Sequence, residues 1–342
     1  MQTIHCIVNP ASRDGQCGKD WQIIKQKMEL KGLEIIEHIT ERIGHGAEIA
    51  HSLVIDDSVP DGSLIVAVGG DGIVSEVASG IRCSNLILGQ IPYGSGNDYC
   101  ITHGIPRNDL DSAIEIIQNG KDRLCGAWRL EGFPAEAVDG YPSPQSRDFD
   151  GKSEQGKVVR WVFLETDSGI TSAISRAKLS RAKWLHGPKK YTYLGITTIP
   201  FWPRRKVSIK FDDDDSRILD FTMITSCTGE TFGGGYRVCP GMTPNSVDAS
   251  VVIAPRLSRL KMLGLMGPVA KGKHIGKWGI YERRCKSMEI NPVNKAGEVL
   301  EHPDTKPTWI QADGEPIIQL PAKLTWHEKQ VTARGSISLP WD

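Results

Sequence analysis

The segment that leaves this 342-residue chain the least choice of fold is residues 63–98. Leu64-Ile65-Val66-Ala67-Val68 is an unbroken apolar run, the pattern of a buried strand. Gly69, Gly70 and Gly72 interrupt it, and a helical spacing begins directly afterwards. The pattern then returns: Leu86 to Ile91 is a second apolar run, followed by Pro92-Tyr93-Gly94-Ser95-Gly96-Asn97-Asp98 and a short helical stretch. Glycine turns let a backbone come close to an anion, and the N–H groups of a helix start supply donors and a partial positive charge. One such turn is an ordinary strand-to-helix connection. Two at the ends of neighbouring strands make a crevice of the kind in which open α/β sheets bind ligands. Asp71 is the odd member, since a carboxylate beside bound phosphates repels them unless it holds a metal, acts through water or takes a proton.

The flanking sequence supplies the rest of an α/β domain. Ile4 to Val8 reads as a first strand, with Asn9 fixing the turn after it and Ser12 offering a hydroxyl to a nucleotide. A helix from about Lys19 to Lys31 carries Trp21, Ile24 and Met28, and Leu33 to Ile39 is the next strand. Gly46 to Val54 and Leu110 to Gln118 read as further helices, and Asp122 to Leu130 as a strand leading out of the domain near Gly126. The expected division is therefore 1–126, a doubly wound nucleotide-binding domain, and 127–342, a mainly β domain. Residues 131–156, polar and rich in Pro, Gly, Ser and Asp, read as a loop insertion. In the second part, strand-like runs are separated by Asp, Gly and Pro turns, the pattern of a sandwich or barrel. Two helical stretches interrupt them, Ile170 to Trp184 and Leu257 to Lys271.

Composition narrows the function classes. With 39% apolar and 24% charged residues the chain is ordinary for a folded protein. No window approaches the roughly 18 apolar residues of a membrane span, and residues 1–8 lack a basic lead into a long apolar run, so a cytoplasmic address is expected. The eight cysteines show no Cys-x-x-Cys pair and read as reduced and structural. Net charge is zero, yet residues 1–126 carry 10 basic and 17 acidic side chains and the remainder 31 and 24. A basic second part suits an anionic membrane surface. Arg176, Lys178, Arg181, Lys183, Lys189, Lys190, Arg204, Arg205 and Lys206, interleaved with Trp184, Tyr191, Tyr193, Phe201 and Trp202, are the candidates for such a boundary. An ordinary solvated face is the competing reading, and no nucleic-acid partner is expected.

Asn9-Pro10, Gly69-Gly70-Asp71-Gly72, the 92–98 segment, Gly233-Gly234-Gly235, Pro240, Gly272-Lys273-His274 and Asp313-Gly314-Glu315-Pro316, in that order, resemble the diacylglycerol kinase catalytic family, with its bacterial-type lipid kinases and the related sphingosine kinases. The resemblance covers nearly the whole chain. It implies an NAD kinase/diacylglycerol kinase-like domain followed by a β-rich lipid-substrate domain, and an ATP- and Mg²⁺-dependent transfer of phosphate to a lipid hydroxyl, diacylglycerol first. It also implies peripheral contact with a membrane and leaves a homodimer open. Asn9, Ser12, Gly69, Gly70, Asp71, Gly72, Ile73, Gly94, Ser95, Gly96 and Asn97 would bind the nucleotide. Asp313, with Glu315 beside it, would take the hydroxyl proton as in bacterial-type members, and Asp71 would do so as in sphingosine kinases; the two acids can share a site only if the β-rich domain folds back over the glycine turns.

The chain departs from the family at several points. Ile73 replaces the usual threonine, so Ser75 or Ser95 would have to supply that hydroxyl. Glu165 replaces an asparagine, and Ile170-Thr171-Ser172 stands for Gly-Phe-Asp. In the loop that helps to hold a structural magnesium, Asp248 is the one carboxylate left. Alternatives are a kinase for a sphingoid base or another lipid alcohol, a soluble-substrate kinase of the NAD kinase type, and a non-catalytic nucleotide- or lipid-binding regulator.

Overall fold

The computed structural model describes residues 2–137, 146–149, 151, 154, 156–181, 188–203 and 205–342. The chain divides into two compact units. The first comprises Met1–Ala127, Thr243–Asn245 and Glu328–Asp342; the second comprises Trp128–Met242 and Ser246–His327.

The first unit runs β1 (Gln2–Val8), α1 (Gln16–Leu30), β2 (Leu33–Ile39), α2 (His45–Val54), β3 (Leu64–Gly69), α3 (Asp71–Ile81), β4 (Ile87–Pro92), α4 (Asp98–Thr102) and α5 (Leu110–Asn119), and receives the start of β5 (Lys121–Pro134). β1 pairs in parallel with β2 and β3, and β3 with β4. Every residue of β3 is buried, as a central strand covered on both faces requires. α1 buries Cys17, Trp21, Ile24 and Met28, one helical stripe. α2 and α3 pack closely because Gly80 has no side chain: a Cβ there would lie 2.5 Å from both the Ala47 carbonyl oxygen and the Ala50 Cβ. The strand order 2-1-3-4 reverses between β1 and β3, which defines a switch point at their C-terminal ends.

The second unit continues with β6 (Val158–Val162), β7 (Glu165–Gly169), α6 (Ile170–Ser180), α7 (Pro188–Thr198), β8 (Arg205–Phe211), β9 (Arg217–Cys227), β10 (Thr231–Phe232), β11 (Tyr236–Arg237), β12 (Ala249–Pro255), α8 (Arg259–Gly264), α9 (Met266–Ala270), β13 (Tyr281–Cys285), β14 (Ser287–Pro292), β15 (Trp309–Ala312) and most of β16 (Glu315–Gly335). Antiparallel ladders join β13, β12, β9, β7, β15 and the start of β16. β9 also pairs β8 through its first half, and β16 pairs β14 through Ala322–Thr325, with β14 on β8. Two long strands thus pass between sheets, which closes a sandwich around Trp128, Phe211, Phe221, Ile253, Leu320 and Leu324. Inside it the Trp128 indole donates to Ser226 Oγ at 2.8 Å, so its polar edge is satisfied.

The sequence reading assigned everything after Gly126 to the β-rich domain. Residues 328–342 instead belong to the first unit, where Thr332 and Ala333 of β16 extend the parallel sheet beside Ile87 and Leu88 of β4. The helix expected over Leu257 to Lys271 is two short helices, α8 and α9. Trp278 takes a left-handed backbone (φ 51°), and the next strand begins at Tyr281.

Candidate active site

Three loops leave the C-terminal ends of adjacent strands in the first unit. They are 9–15 after β1, 69–70 after β3 and 93–97 after β4. Val8 faces Val68 and Gly69 faces Pro92 in the ladders, so the loops are neighbours by register. Gly69 holds them together. Its φ of +149° favours glycine, and a Cβ there would lie 2.7 Å from Ser12 Oγ, 2.8 Å from Ile73 Cγ2 and 3.5 Å from Asn9 Cβ. Asn9 Oδ1 accepts from the Ala11 N–H at 3.1 Å and fixes its own turn. The second glycine turn abuts the first. A Cβ on Gly94 would lie 2.3 Å from Gly70 Cα, and the Tyr93 N–H donates to the Gly69 carbonyl at 2.7 Å.

Asn97 closes the second turn from within. Its backbone is left-handed (φ 54°), its Oδ1 accepts from the Gly94 N–H at 2.8 Å, and its Nδ2 donates to the Gly94 carbonyl at 3.1 Å. It is buried, as is Asp98, whose Oδ1 pairs with Arg107 Nη2 at 2.5 Å. Asp71, at the first position of α3, accepts the Tyr99 N–H on Oδ1 at 2.9 Å, which ties the start of α3 to the first turn of α4. Ser95 is the exposed hydroxyl of the turn, whereas Ser75 is buried inside α3. The Ile73 side chain is buried against Gly46 and Gly69, which leaves its backbone N–H as what it can offer a ligand. Arg13, left-handed at φ 54°, stacks its guanidinium 5.7 Å from the centre of the Tyr93 ring.

No side chain caps α3, and Gly72 in its first turn is exposed: a Cβ there would meet nothing within 4 Å. An uncapped helix start with an open glycine at a sheet switch point fits a phosphate. The fit to a protein-held metal is poorer, because among the described residues no group of three or more His, Cys, Asp or Glu could hold an ion. Asp248 is engaged by Arg284, through Nε at 2.9 Å and Nη2 at 2.5 Å.

The second unit holds the other acids. Asp313 and Gly314 are the central residues of a two-residue hairpin between β15 and β16, with φ values of 50° and 82° and Ala312 facing Glu315. The Asp313 carboxylate turns back and accepts three backbone N–H groups, from Phe163 at 3.1 Å, Leu164 at 2.8 Å and Glu165 at 3.1 Å. Glu315 Oε2 lies 3.5 Å from Arg147 Nη2 and 3.7 Å from Arg160 Nη2, both from buried arginines.

Sequence reasoning assigned no role to the groups packed beneath this turn. Glu165 is buried and its Oε1 accepts from the Gly314 N–H and from Gln311 Nε2, each at 3.0 Å; Oε2 has no hydrogen-bond partner among the described residues. Gln311 Nε2 also donates to Asp167, which accepts from Thr171 Oγ1 at 2.6 Å. Burial first, then the neighbouring charges of Asp167 and Asp313, push the Glu165 carboxyl well above the usual range. Burial raises Asp167 to about 7. The legible signal was the alternation Glu165-x-Asp167 directly after the apolar run Trp161 to Leu164, which sets two acids on one face of a buried strand.

Two of the basic residues expected at a membrane face, Arg176 and Arg205, are engaged by the protein itself. Arg176 donates to the carbonyls of Glu136 and Pro316 and stacks on Trp309, and Arg205 donates to the Lys306 carbonyl. Lys183, Trp184 and Arg204, and the side chains of Lys189, Lys190 and Tyr191, lie outside the described residues.

The chain combines a parallel α/β unit, with an open and uncapped helix start at its switch point, and a β-sandwich unit, and comparison with known proteins gives the family. Residues 3–126 match the model of the diacylglycerol kinase catalytic domain, and residues 166–333 that of the YegS C-terminal NAD kinase beta sandwich-like domain. The chain is 21% identical over 322 residues to a diacylglycerol kinase of Mycobacterium tuberculosis, covering 94% of this chain and 91% of the relative. It is 22% identical over 299 residues to a diacylglycerol kinase of Bacillus subtilis, covering 86% and 88%. A solved structure of a putative diacylglycerol kinase from Bacillus anthracis superposes with a TM-score of 0.68 at 17% identity, covering 98% of this chain and 97% of that one. The chain belongs to the diacylglycerol kinase catalytic family, in its bacterial-type form with a β-sandwich-like C-terminal domain. It is a family of kinases, and its fold implies ATP as the phosphate donor.

Proposed function

We propose that this protein is a lipid kinase that transfers the γ-phosphate of MgATP to the free hydroxyl of diacylglycerol, yielding phosphatidic acid at a membrane surface. The observation that carries the reading is the open, uncapped start of α3 at Gly72, walled by the three loops of the switch point. The named relatives, matched over most of their own length, support the choice of acceptor. When bound, MgATP supplies the phosphoryl group and the cation. The chain's own residues then have distinct tasks. The Gly72 and Ile73 amides donate to phosphate oxygens, Ser95 adds a hydroxyl, and Asp71 keeps the second turn in place through Tyr99. Asp313 receives the hydroxyl proton; its three amide donors fix both carboxylate oxygens, and Arg147 and Arg160 hold Glu315 beside it.

Purified protein incubated with labelled ATP, magnesium and a panel of diacylglycerols, sphingoid bases and other lipid alcohols in mixed micelles tests this directly. Labelled phosphatidic acid is the expected product. A labelled sphingoid base would move the substrate to the sphingosine kinase type, and no labelled lipid with intact nucleotide binding would leave a regulator. Asp313→Asn should bind MgATP normally and turn over about 100- to 10,000-fold more slowly. If Asp313→Asn keeps near-normal turnover while Asp71→Asn binds MgATP and is inactive, the base is Asp71.

A further inference from the structure

α8 leaves two of its three apolar side chains in solvent. It buries Met262, while Leu260 and Leu263, three residues apart on one face, are 82% and 48% exposed. Met266 of α9 and Trp278, 50% and 43% exposed, extend this face, and the Trp278 ring packs over Gly264, 3.3 Å from where a Cβ would stand. The turn Ile199–Phe201 packs beside α8 with Phe201 83% exposed. Each apolar side chain in water forfeits burial, and a cluster of them marks a contact surface.

The charges around the patch identify its partner. From Arg256 to Tyr281 the sequence holds six Lys and Arg and no Asp or Glu. Arg256 pairs with Asp220, but Arg259, Lys261, Lys271, Lys273 and Lys277 are exposed and are in no ion pair among the described residues. Lys261 lies over the Trp278 ring, Nζ 5.9 Å from its centre, so cation and indole are presented together. Apolar tips ringed by lysines without acids match the interfacial zone of an anionic bilayer, where leucine and tryptophan enter the headgroup boundary and lysines meet lipid phosphates. We propose that α8, α9 and the Trp278 turn form the docking face for an anionic membrane surface. This rests on the lipid-kinase reading for its purpose but not for its evidence.

Two variants separate insertion from charge: Leu260→Ser/Leu263→Ser/Trp278→Ser, and Lys261→Gln/Lys271→Gln/Lys277→Gln. Wild type should co-sediment with phosphatidylserine-containing vesicles and far less with phosphatidylcholine alone. The lysine variant should bind about 100-fold more weakly, at roughly fivefold per lysine, with a shallower salt dependence carried by Arg259 and Lys273. The apolar variant should bind weakly at every salt concentration. Both should phosphorylate dispersed dioctanoylglycerol at the wild-type rate, which confirms that they fold. The proposal is overturned if wild type ignores anionic vesicles, if either variant binds like wild type, or if the apolar variant instead dissolves a dimer seen by sedimentation velocity, since a second copy then covers the face. Failure of the wild type to phosphorylate dispersed diacylglycerol tells against the kinase reading alone, and the vesicle comparison still decides the docking face.

Discussion

Gly72→Ala separates folding from ligand binding because the two effects have opposite signs. Gly72 lies in the first turn of α3, outside the left-handed region, and the added methyl meets nothing within 4 Å. The folded state therefore accepts it without strain, while the unfolded chain loses freedom, which stabilises by about 0.4–1 kcal/mol. For a unit of this size that raises Tm by roughly 1–4 °C. The same methyl occupies the space in which a phosphate oxygen would approach the Gly72 and Ile73 amides. Loss of one charge-assisted hydrogen bond costs about 1.5–3 kcal/mol, or roughly ten- to a hundredfold in affinity. Differential scanning calorimetry of the free protein and titration calorimetry with ATP and magnesium read the two effects independently. A higher Tm with unchanged ATP affinity would show that no phosphate sits over Gly72, and the anion site would have to be sought elsewhere. A lower Tm would refute the geometry itself.

Other positions make equally direct demands. Gly94→Ala drives a methyl to 2.3 Å from Gly70 Cα and should lower stability by about 1–3 kcal/mol, read as an earlier unfolding midpoint in urea. Asp71→Ala removes the acceptor of the Tyr99 N–H and should cost about 1 kcal/mol, whereas Asp71→Asn, which keeps Oδ1, should cost little; equal losses would mean that the charge matters to folding and the hydrogen bond does not. Asp167 keeps its proton to about pH 7 in the folded state and to about 3.8 when unfolded, so the folded state binds more protons between these values and stability falls as pH rises across them. Glu165, Gln311 and Thr171 surround it, and Asp167→Asn should raise Tm at pH 8 relative to wild type while changing it little at pH 4. Glu165→Gln, a neutral isostere of the protonated acid, should keep the hairpin and the turnover, and Glu165→Ala should lower turnover by releasing the Gly314 N–H; identical turnover in both would leave Glu165 with packing alone.

The parallel half of the fold was readable because its inner strands β1, β3 and β4 are buried on both faces. Continuous apolar runs such as Leu64 to Val68 carry no competing pattern, and the glycines that end them mark the turn independently. The β-rich half was readable as a class but not as a topology. Nothing in a period of two shows that β9 gives its first half to β8 and its second to β7 and β12, because pairing partners far apart in sequence are chosen by register. The same blindness hid the return of residues 328–342 to the first unit. Their alternation of buried and partly exposed residues is what any edge or centre of a sheet produces, and their neighbour Ile87 lies some 245 residues earlier.

The site was legible as a set of residue types, but the motif runs several physical reasons together. Gly69, Gly70, Gly72 and Gly94 look alike in sequence. Gly69 answers to its backbone angle and to Ser12 and Ile73; Gly70 and Gly94 answer to each other, with two backbones at contact; Gly72 alone faces open space. It follows that substitutions at Gly70 or Gly94 disturb the turns before any ligand arrives, so lost nucleotide binding there says nothing about where phosphate sits. Only at Gly72 does the missing side chain speak about the ligand. The acids divide in the same way. Asp98 and Asp248 are held by arginines, and Asp71 and Asp313 by backbone amides. An arginine partner fixes a charge at a point, whereas an amide partner also fixes the loop that carries it. The two candidate bases are therefore also the two acids whose removal moves a turn, and this is why Asp→Asn rather than Asp→Ala is the substitution that distinguishes lost proton transfer from lost geometry.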